Sequence, residues 1–328
     1  LSQAKELIGE QLVLKKQIQS DKSQITKIQN SFIKSISIAE ELSQIFEDNN
    51  FQVNVPEYCH VEIDDSSEYK MIIHITDWHI GYVIDNCKGN YYNWEIANER
   101  INKLINECRK YIKMYDIKKV YVINTGDNIE HVAMRKNQSQ FCEFNQSEQI
   151  NHAIDLIFRF LTALCRDCYV EYDSIYGNHD RMNGDLSANL DGDNADTIIK
   201  EQISKYKELS KTVRLNVIQR RHTDKEIIVD IEGLKCKFSH GNIGIKNDKL
   251  QLRNEMSMNN EFYNLSFQGH EHNFGVTSEN NGRYIIHTGC LSGFDDYSVG
   301  FGCSTVASQT IVVVSNNNVE LIKDVVLI

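Results

Sequence analysis

The chain has 328 residues, 41% of them hydrophobic, enough for one large core or two modest ones. No run approaches the roughly 18 apolar residues of a membrane span, and a net charge of −11 argues against a protein that coats nucleic acid by bulk electrostatics. Nine scattered cysteines fit a reducing compartment better than a disulfide framework, so a cytoplasmic protein is expected.

The chain opens on Leu1 rather than methionine, so an initiator or a longer N-terminus is expected to be missing. Residues 1–20 lack the basic, apolar and small-residue layout of a signal peptide. Residues 1–47 hold no proline and a single glycine, Gly9, and apolar residues such as Leu7, Leu14, Ile18, Ile25, Phe32 and Phe46 recur at heptad spacing. This predicts a long coiled-coil-like amphipathic helix whose narrow seam meets another helix, in a homo-oligomer or a helical partner; folding back on the body is the alternative. Residues 48–68 are acidic, hold the one proline, Pro56, and read as a linker to a body over 69–328.

In the body, a strand over 70–76 precedes a helix of period 3.6 over about 94–114. A strand at 120–124, a helix over about 147–168 and a strand at 170–176 follow. That βαβαβ order implies parallel strands joined by right-handed crossovers. Beyond a helix near 195–209 the pattern changes to short strands at 213–219, 226–231, 234–239, 264–268, 283–287, 310–315 and 319–327. One α/β domain with a β-rich second half is expected. Cys165 and Cys168 form a lone CxxC after the second helix, for which half-buried free thiols are the expected state.

The strand ends carry the chemistry. The first runs into Asp77-Trp78-His79, whose outer two residues share a face if the strand continues. The second runs into Gly126-Asp127, the third into Gly177-Asn178-His179-Asp180, and later ones into His240-Gly241 and Gly269-His270-Glu271-His272. Collected in the crevice beyond the strand ends, these offer two aspartates, an asparagine and four histidines, with His179 to spare. Hard carboxylate oxygens with borderline imidazoles suit two divalent transition ions, and Asp127, central in the sheet, is the natural bridge.

The ordered series DWH, GD, GNHD, HG and GHEH resembles the calcineurin-like metallophosphoesterase superfamily, over roughly residues 70–290. The resemblance implies a four-layer α/β/β/α sandwich holding two metals, commonly manganese, iron or zinc. It implies that Asp77, His79, Asp127 and His272 bind one ion and that Asp127, Asn178, His240 and His270 bind the other. His179 matches the non-ligand histidine that faces substrate, and Asp180 its acidic neighbour, which could orient that ring. Two such ions activate a bridging water and neutralise phosphate oxygens in an in-line displacement, and a histidine near neutral pKa can protonate the departing alkoxide.

Within the superfamily, "HITDWHIG" is most similar to the opening motif of SbcD-type DNA-repair exonucleases, and the 287–301 stretch is similar to loops of virus-encoded members. DNA is therefore the expected substrate of a phosphodiesterase or nuclease. A small nucleotide-like substrate, and an assembly protein with a vestigial metal site, are the alternatives. The stretch after Gly289 is too short for the DNA-capping domain such exonucleases carry. Expected phosphate contacts are His131 and Arg181 beside the metal motifs, and Arg220 and Arg221; Lys246, Lys249 and Arg253 form a second basic cluster. Tyr297 or Phe294 is expected to pack in the core, with base stacking as the alternative.

Overall fold

Lys70–Ile75 (β1) is buried at every position, as a strand covered on both faces must be. Alternation divides it: Met71, Ile73 and Ile75 enter one core and Ile72 the other. Ile84–Cys87 (β2) and Asn90–Tyr92 (β3) form a small antiparallel pair, followed by Trp94–Met114 (α1), whose N-cap Asn93 accepts from the Ile96 amide. Lys119–Asn124 (β4), Gln146–Leu164 (α2) and Tyr169–Ser174 (β5) come next, then Ala195–Leu209 (α3) and Leu215–Val217 (β6). In α2, Asn145 and Glu148 form a capping box.

The second half holds Glu226–Ile231 (β7), Leu234–Ser239 (β8), Asp248–Asn259 (α4), Leu265–Gln268 (β9), Gly275–Glu279 (β10) and Arg283–His287 (β11). Asp296–Gly300 (α5), Ser308–Ser315 (β12) and Asn318–Val326 (β13) close the chain. The computed structural model describes Lys22 and residues 66–242, 247–279, 282–300 and 305–328. The expected helix over 1–47, Lys22 apart, and the linker as far as residue 65 lie outside the described residues. The body belongs to the unit Glu57–Ile328.

The first sheet has the order β13-β12-β1-β4-β5-β6 and the second β10-β11-β9-β8-β7. In the first, β1, β4, β5 and β6 are parallel, as the βαβαβ order requires, while β12 runs antiparallel to β1 and β13 antiparallel to β12. One core lies between this sheet and α1, α2 and α3; the other lies between the sheets, where Phe238 stacks on Phe267. The mixed α/β architecture is as expected. Helix α4 is tied to β9, β10 and β11 through Gln251 and Asp248.

The β2–β3 pair, β10 and α4 were not foreseen. The second helix ends at Leu164, short of residue 168, and Cys165 and Cys168 are fully rather than half-buried. Burial raises both thiols, Cys165 to about 12, so neither is a reactive thiolate. No described helix is long and apolar enough to cross a membrane.

Candidate metal centre

Because β1 ends at Ile75, strand alternation is not what aligns Asp77 and His79. Both take left-handed backbone, at φ 53° and 46°, as do Asp127, His270 and His272 at 52°, 66° and 57°. Non-glycine residues there cost on the order of 1–3 kcal/mol each, and such strain gathers at functional sites. Backbone bonds beyond the strands fix the register: Asp77 and His79 amides donate to Gly126 and Asp127 carbonyls, at 2.9 and 3.0 Å. Two glycines permit the close approach. A Cβ at Gly177 would lie 2.2 Å from Asp127 Oδ1, and one at Gly269 2.5 Å from Asp77 Oδ2.

Donor atoms of Asp77, His79 and His272 lie within 4.8 Å of one another. His79 Nε2 and His272 Nε2 are 3.1 Å apart, and Asp77 Oδ1 stands 3.3 Å from the second and 3.7 Å from the first. Asp77 Oδ2 accepts from Thr76 Oγ1 and the His270 amide, whereas Oδ1 is buried and makes no hydrogen bond. An orphaned carboxylate oxygen facing two imidazole nitrogens fits a cation, since an unpaired buried polar atom is otherwise costly.

Asp127, His240 and His270 converge in the same way. His240 Nε2 lies 3.2 Å from Asp127 Oδ2 and 3.0 Å from Asn178 Oδ1. The other Asp127 oxygen accepts the His179 amide at 2.6 Å, so one oxygen faces the donors. His270 is exposed at the mouth. The sequence thus named every member of both groups.

The ring nitrogens away from the centre are held. His240 Nδ1 donates to the Thr125 carbonyl at 2.9 Å, and His79 Nδ1 donates to Glu130 Oε2 at 2.7 Å. Outer partners of this kind fix the tautomer of a metal-ligating histidine. Burial opposes charging both rings, yet the carboxylates prevail. Asp77 and Glu130 raise His79 to about 10, and Asp127 raises His240 to about 9. Asp127 is held below the usual carboxylate range against its burial, chiefly by His240.

Glu130 is a residue of the candidate centre that the sequence reading missed. Its carboxylate also accepts from Gln138, and its backbone carbonyl accepts from His179 Nδ1 at 2.7 Å. The expected pairing of Asp180 with that ring is corrected: Asp180 accepts the amides of Asp127, Asn128 and Gly177, at 2.7, 3.0 and 2.8 Å. It ties the β4 and β5 loops together rather than orienting the imidazole.

The four expected phosphate contacts are not brought to the crevice. His131 is buried, with Nδ1 accepting the Ala133 amide. Arg181 Nε lies 2.9 Å from Met134 Sδ. Arg220 pairs with buried Asp173, which also binds Lys200, and Arg221 pairs with Asp224. In the second basic cluster Arg253 stands 3.6 Å from Glu279, while Lys246 and the Lys249 side chain lie outside the described residues. Phe294 packs against the helical core, and the Tyr297 side chain is outside the described residues.

A cavity of about 780 Å³ opens over both donor groups. Its walls include Asp85, Asp295, Asp296 and Glu271, and Arg135 is its one lysine or arginine among the described residues. Tyr82 donates to Asp295 at 2.7 Å, and buried Arg100 donates to the carbonyls of Tyr91, Leu291 and Ser292 and to Asn90 Oδ1. The loop over 291–296 is thereby fastened to the β2–β3 pair.

No family model matches the chain. The SPbeta prophage-derived uncharacterized protein YonJ of Bacillus subtilis (strain 168) is 22% identical over 218 residues, covering 64% of this chain and 52% of that protein. The chain thus spans about half the length of the curated relative it matches. Among solved structures, a dimetal phosphatase from Danio rerio is 9% identical, with 79% of this chain and 99% of the other covered, at a TM-score of 0.38. A single mutant of Vps29 from Entamoeba histolytica is 14% identical, with 77% and 98% covered, at 0.37. A putative 5'-nucleotidase from Staphylococcus aureus is 12% identical, with 79% and 54% covered, at 0.37. Scores this low carry no weight for function, and the chemistry is read from the chain's own residues.

Proposed function

We propose that the chain is a dinuclear-metal phosphodiesterase of the calcineurin-like metallophosphoesterase superfamily. The observation that carries this is the convergence of two donor groups on one crevice, with the Asp77 Oδ1 atom buried and unbonded between two imidazoles. Asp77, His79 and His272 would hold one ion, Asn178, His240 and His270 the other, and Asp127 would bridge. Manganese is the expected metal, with iron or zinc suited to the same donors. Bound there, two ions supply positive charge to phosphate oxygens and a nucleophile at neutral pH.

The chain's own groups do the rest. Glu130 and Thr125 aim the Nε2 lone pairs of His79 and His240 inward. His179 is anchored at Nδ1 by the Glu130 carbonyl and lines the crevice, leaving Nε2 for the leaving oxygen. Burial lowers the pKa of this ring; the negative charge of a bound phosphate draws it back toward its proton-giving form.

A nucleotide-sized phosphoester is the substrate the geometry favours. The crevice has acidic walls and, among the described residues, a single lysine or arginine, and Arg220 and Arg221 are engaged in ion pairs, so a long polyanion finds little to grip. The second reading, cleavage of single-stranded DNA ends, is favoured by the likeness of "HITDWHIG" to SbcD-type exonucleases. A manganese-loaded panel of bis(p-nitrophenyl) phosphate, cyclic nucleotides, single-stranded DNA and duplex DNA separates them. Chromogenic turnover should disappear in EDTA and in Asp127→Asn; full activity in either overturns the two-metal reading. Rapid turnover of single-stranded DNA with nucleotides left intact reverses the order of the two substrates. We further propose a cytoplasmic protein that self-associates through residues 1–47, tested by light scattering before and after removal of that segment.

A further inference from the structure

A second cavity, of about 500 Å³, shares the Glu271 wall with the metal crevice, and Glu271 stands between the ligand histidines His270 and His272. The two spaces are therefore neighbours across a single residue. The second is built differently from the first. Half-buried Phe274 is the aromatic residue of its lining, and Asn247 and Asn273 are the amide-bearing ones. At its base, Asp248 accepts Thr277 Oγ1 at 2.6 Å and pairs with His287 Nε2 at 3.0 Å, joining α4 to β10 and β11. His287 Nε2 donates to Asp248, and its Nδ1 is buried without a hydrogen-bond partner. Asn247 Oδ1 is committed to the Leu250 amide, which leaves its amide N–H groups to donate.

A flat heteroaromatic ring with donors and acceptors on its edge answers this lining. Stacking on a ring is tolerant of base identity, while the amide and carboxylate groups read the edge. We propose that this cavity is the base subsite of the phosphoester, seating the nucleobase of a nucleotide arm while its phosphate lies at the donor groups. The proposal rests on the phosphodiesterase reading and adds the substrate class: a nucleoside-bearing ester, recognised by its base, on the β10–β11 side of the centre. It also gives the acidic crevice a reason to bind a nucleotide, because affinity then comes from the base rather than from basic contacts to a polyanion.

The test uses two manganese-supported substrates with the same leaving group, thymidine 5'-(p-nitrophenyl phosphate) and methyl p-nitrophenyl phosphate. Wild type should favour the nucleoside ester in kcat/KM by at least about tenfold, in keeping with a stacked base. Phe274→Ala and Phe274→Leu should each bring that ratio down about tenfold; the leucine variant keeps the bulk and removes only the ring. An unchanged ratio in both variants, each shown folded by its melting transition, overturns the subsite. If neither ester is hydrolysed, the fault lies with the reaction assigned to the centre. The subsite is then decided by calorimetric binding of thymidine 5'-monophosphate, which should be about tenfold weaker in Phe274→Leu; equal binding rejects it.

Discussion

Glu130 serves the centre twice, through its carboxylate on His79 and its backbone carbonyl on His179. Glu130→Gln removes the charge that holds His79 but keeps the backbone contact. Metal affinity should fall about 10–100-fold, the usual effect of losing such a partner, as read by chelator competition; unchanged affinity would make Glu130 a packing residue. His179→Ala should leave metal affinity near that of wild type and cut turnover of poor leaving groups about 10²–10⁴-fold. The loss should shrink with p-nitrophenolate, and an equal loss for all leaving groups would deny His179 the proton transfer. The candidate metal ligands were legible because each follows a strand in a short motif. Glu130 was not, since a lone acid in a loop has no spacing of its own. Asp180 was misjudged because adjacency to His179 does not say which way a carboxylate turns, and three loop amides had the stronger claim on it.

At the scale of elements, periodic and capped segments were legible: α1 and α3 fall on the approximate bounds expected for them, and the central strands within two residues. The β2–β3 pair escaped because IDNC and NYY are too short and too polar to show an apolar pattern, although Ile84, Cys87 and Tyr92 reach the helical core. Helix α4 escaped because DKLQLRNEMSMN lacks a clear apolar stripe. Arg100 is what the hairpin depends on: a helix residue, buried, whose fork satisfies four acceptors from the hairpin and loop. Arg100→Met should cost about 2–4 kcal/mol, because charge-assisted bonds are lost and buried carbonyls are left unpaired. Urea unfolding measures this. Lysine should not rescue it, since an ammonium lacks the planar fork. A loss below about 0.5 kcal/mol would place the hairpin's support elsewhere.

For the molecule as a whole, the centre ties stability to protons and to metal in opposite senses. Without metal, His79 and His240 are raised from their ordinary 6.5 to about 10 and about 9; burial opposes the charge, and Asp77 with Glu130, and Asp127, outweigh it. The folded chain then binds more protons than the unfolded one between these values, so their stabilisation is complete below about pH 6.5 and is lost as pH rises toward 9–10. Asp180, raised to about 7 by burial and by Asp127, loses stability in the same direction as it ionises. His74, lowered to about 3 by burial, stays neutral in the fold and costs stability only below its ordinary pKa, outside this window. In EDTA, the melting temperature should therefore fall by several degrees from pH 6.5 to pH 9. Manganese must displace the same protons, so its stabilisation should grow over that range. Scanning fluorimetry at fixed ionic strength, with EDTA and with manganese, reads both slopes. A melting temperature in EDTA that is flat or rises from pH 6.5 to 9 would mean that His79 and His240 are already neutral in the empty centre. Metal binding would then release no protons from them, and the gain from manganese should not depend on pH.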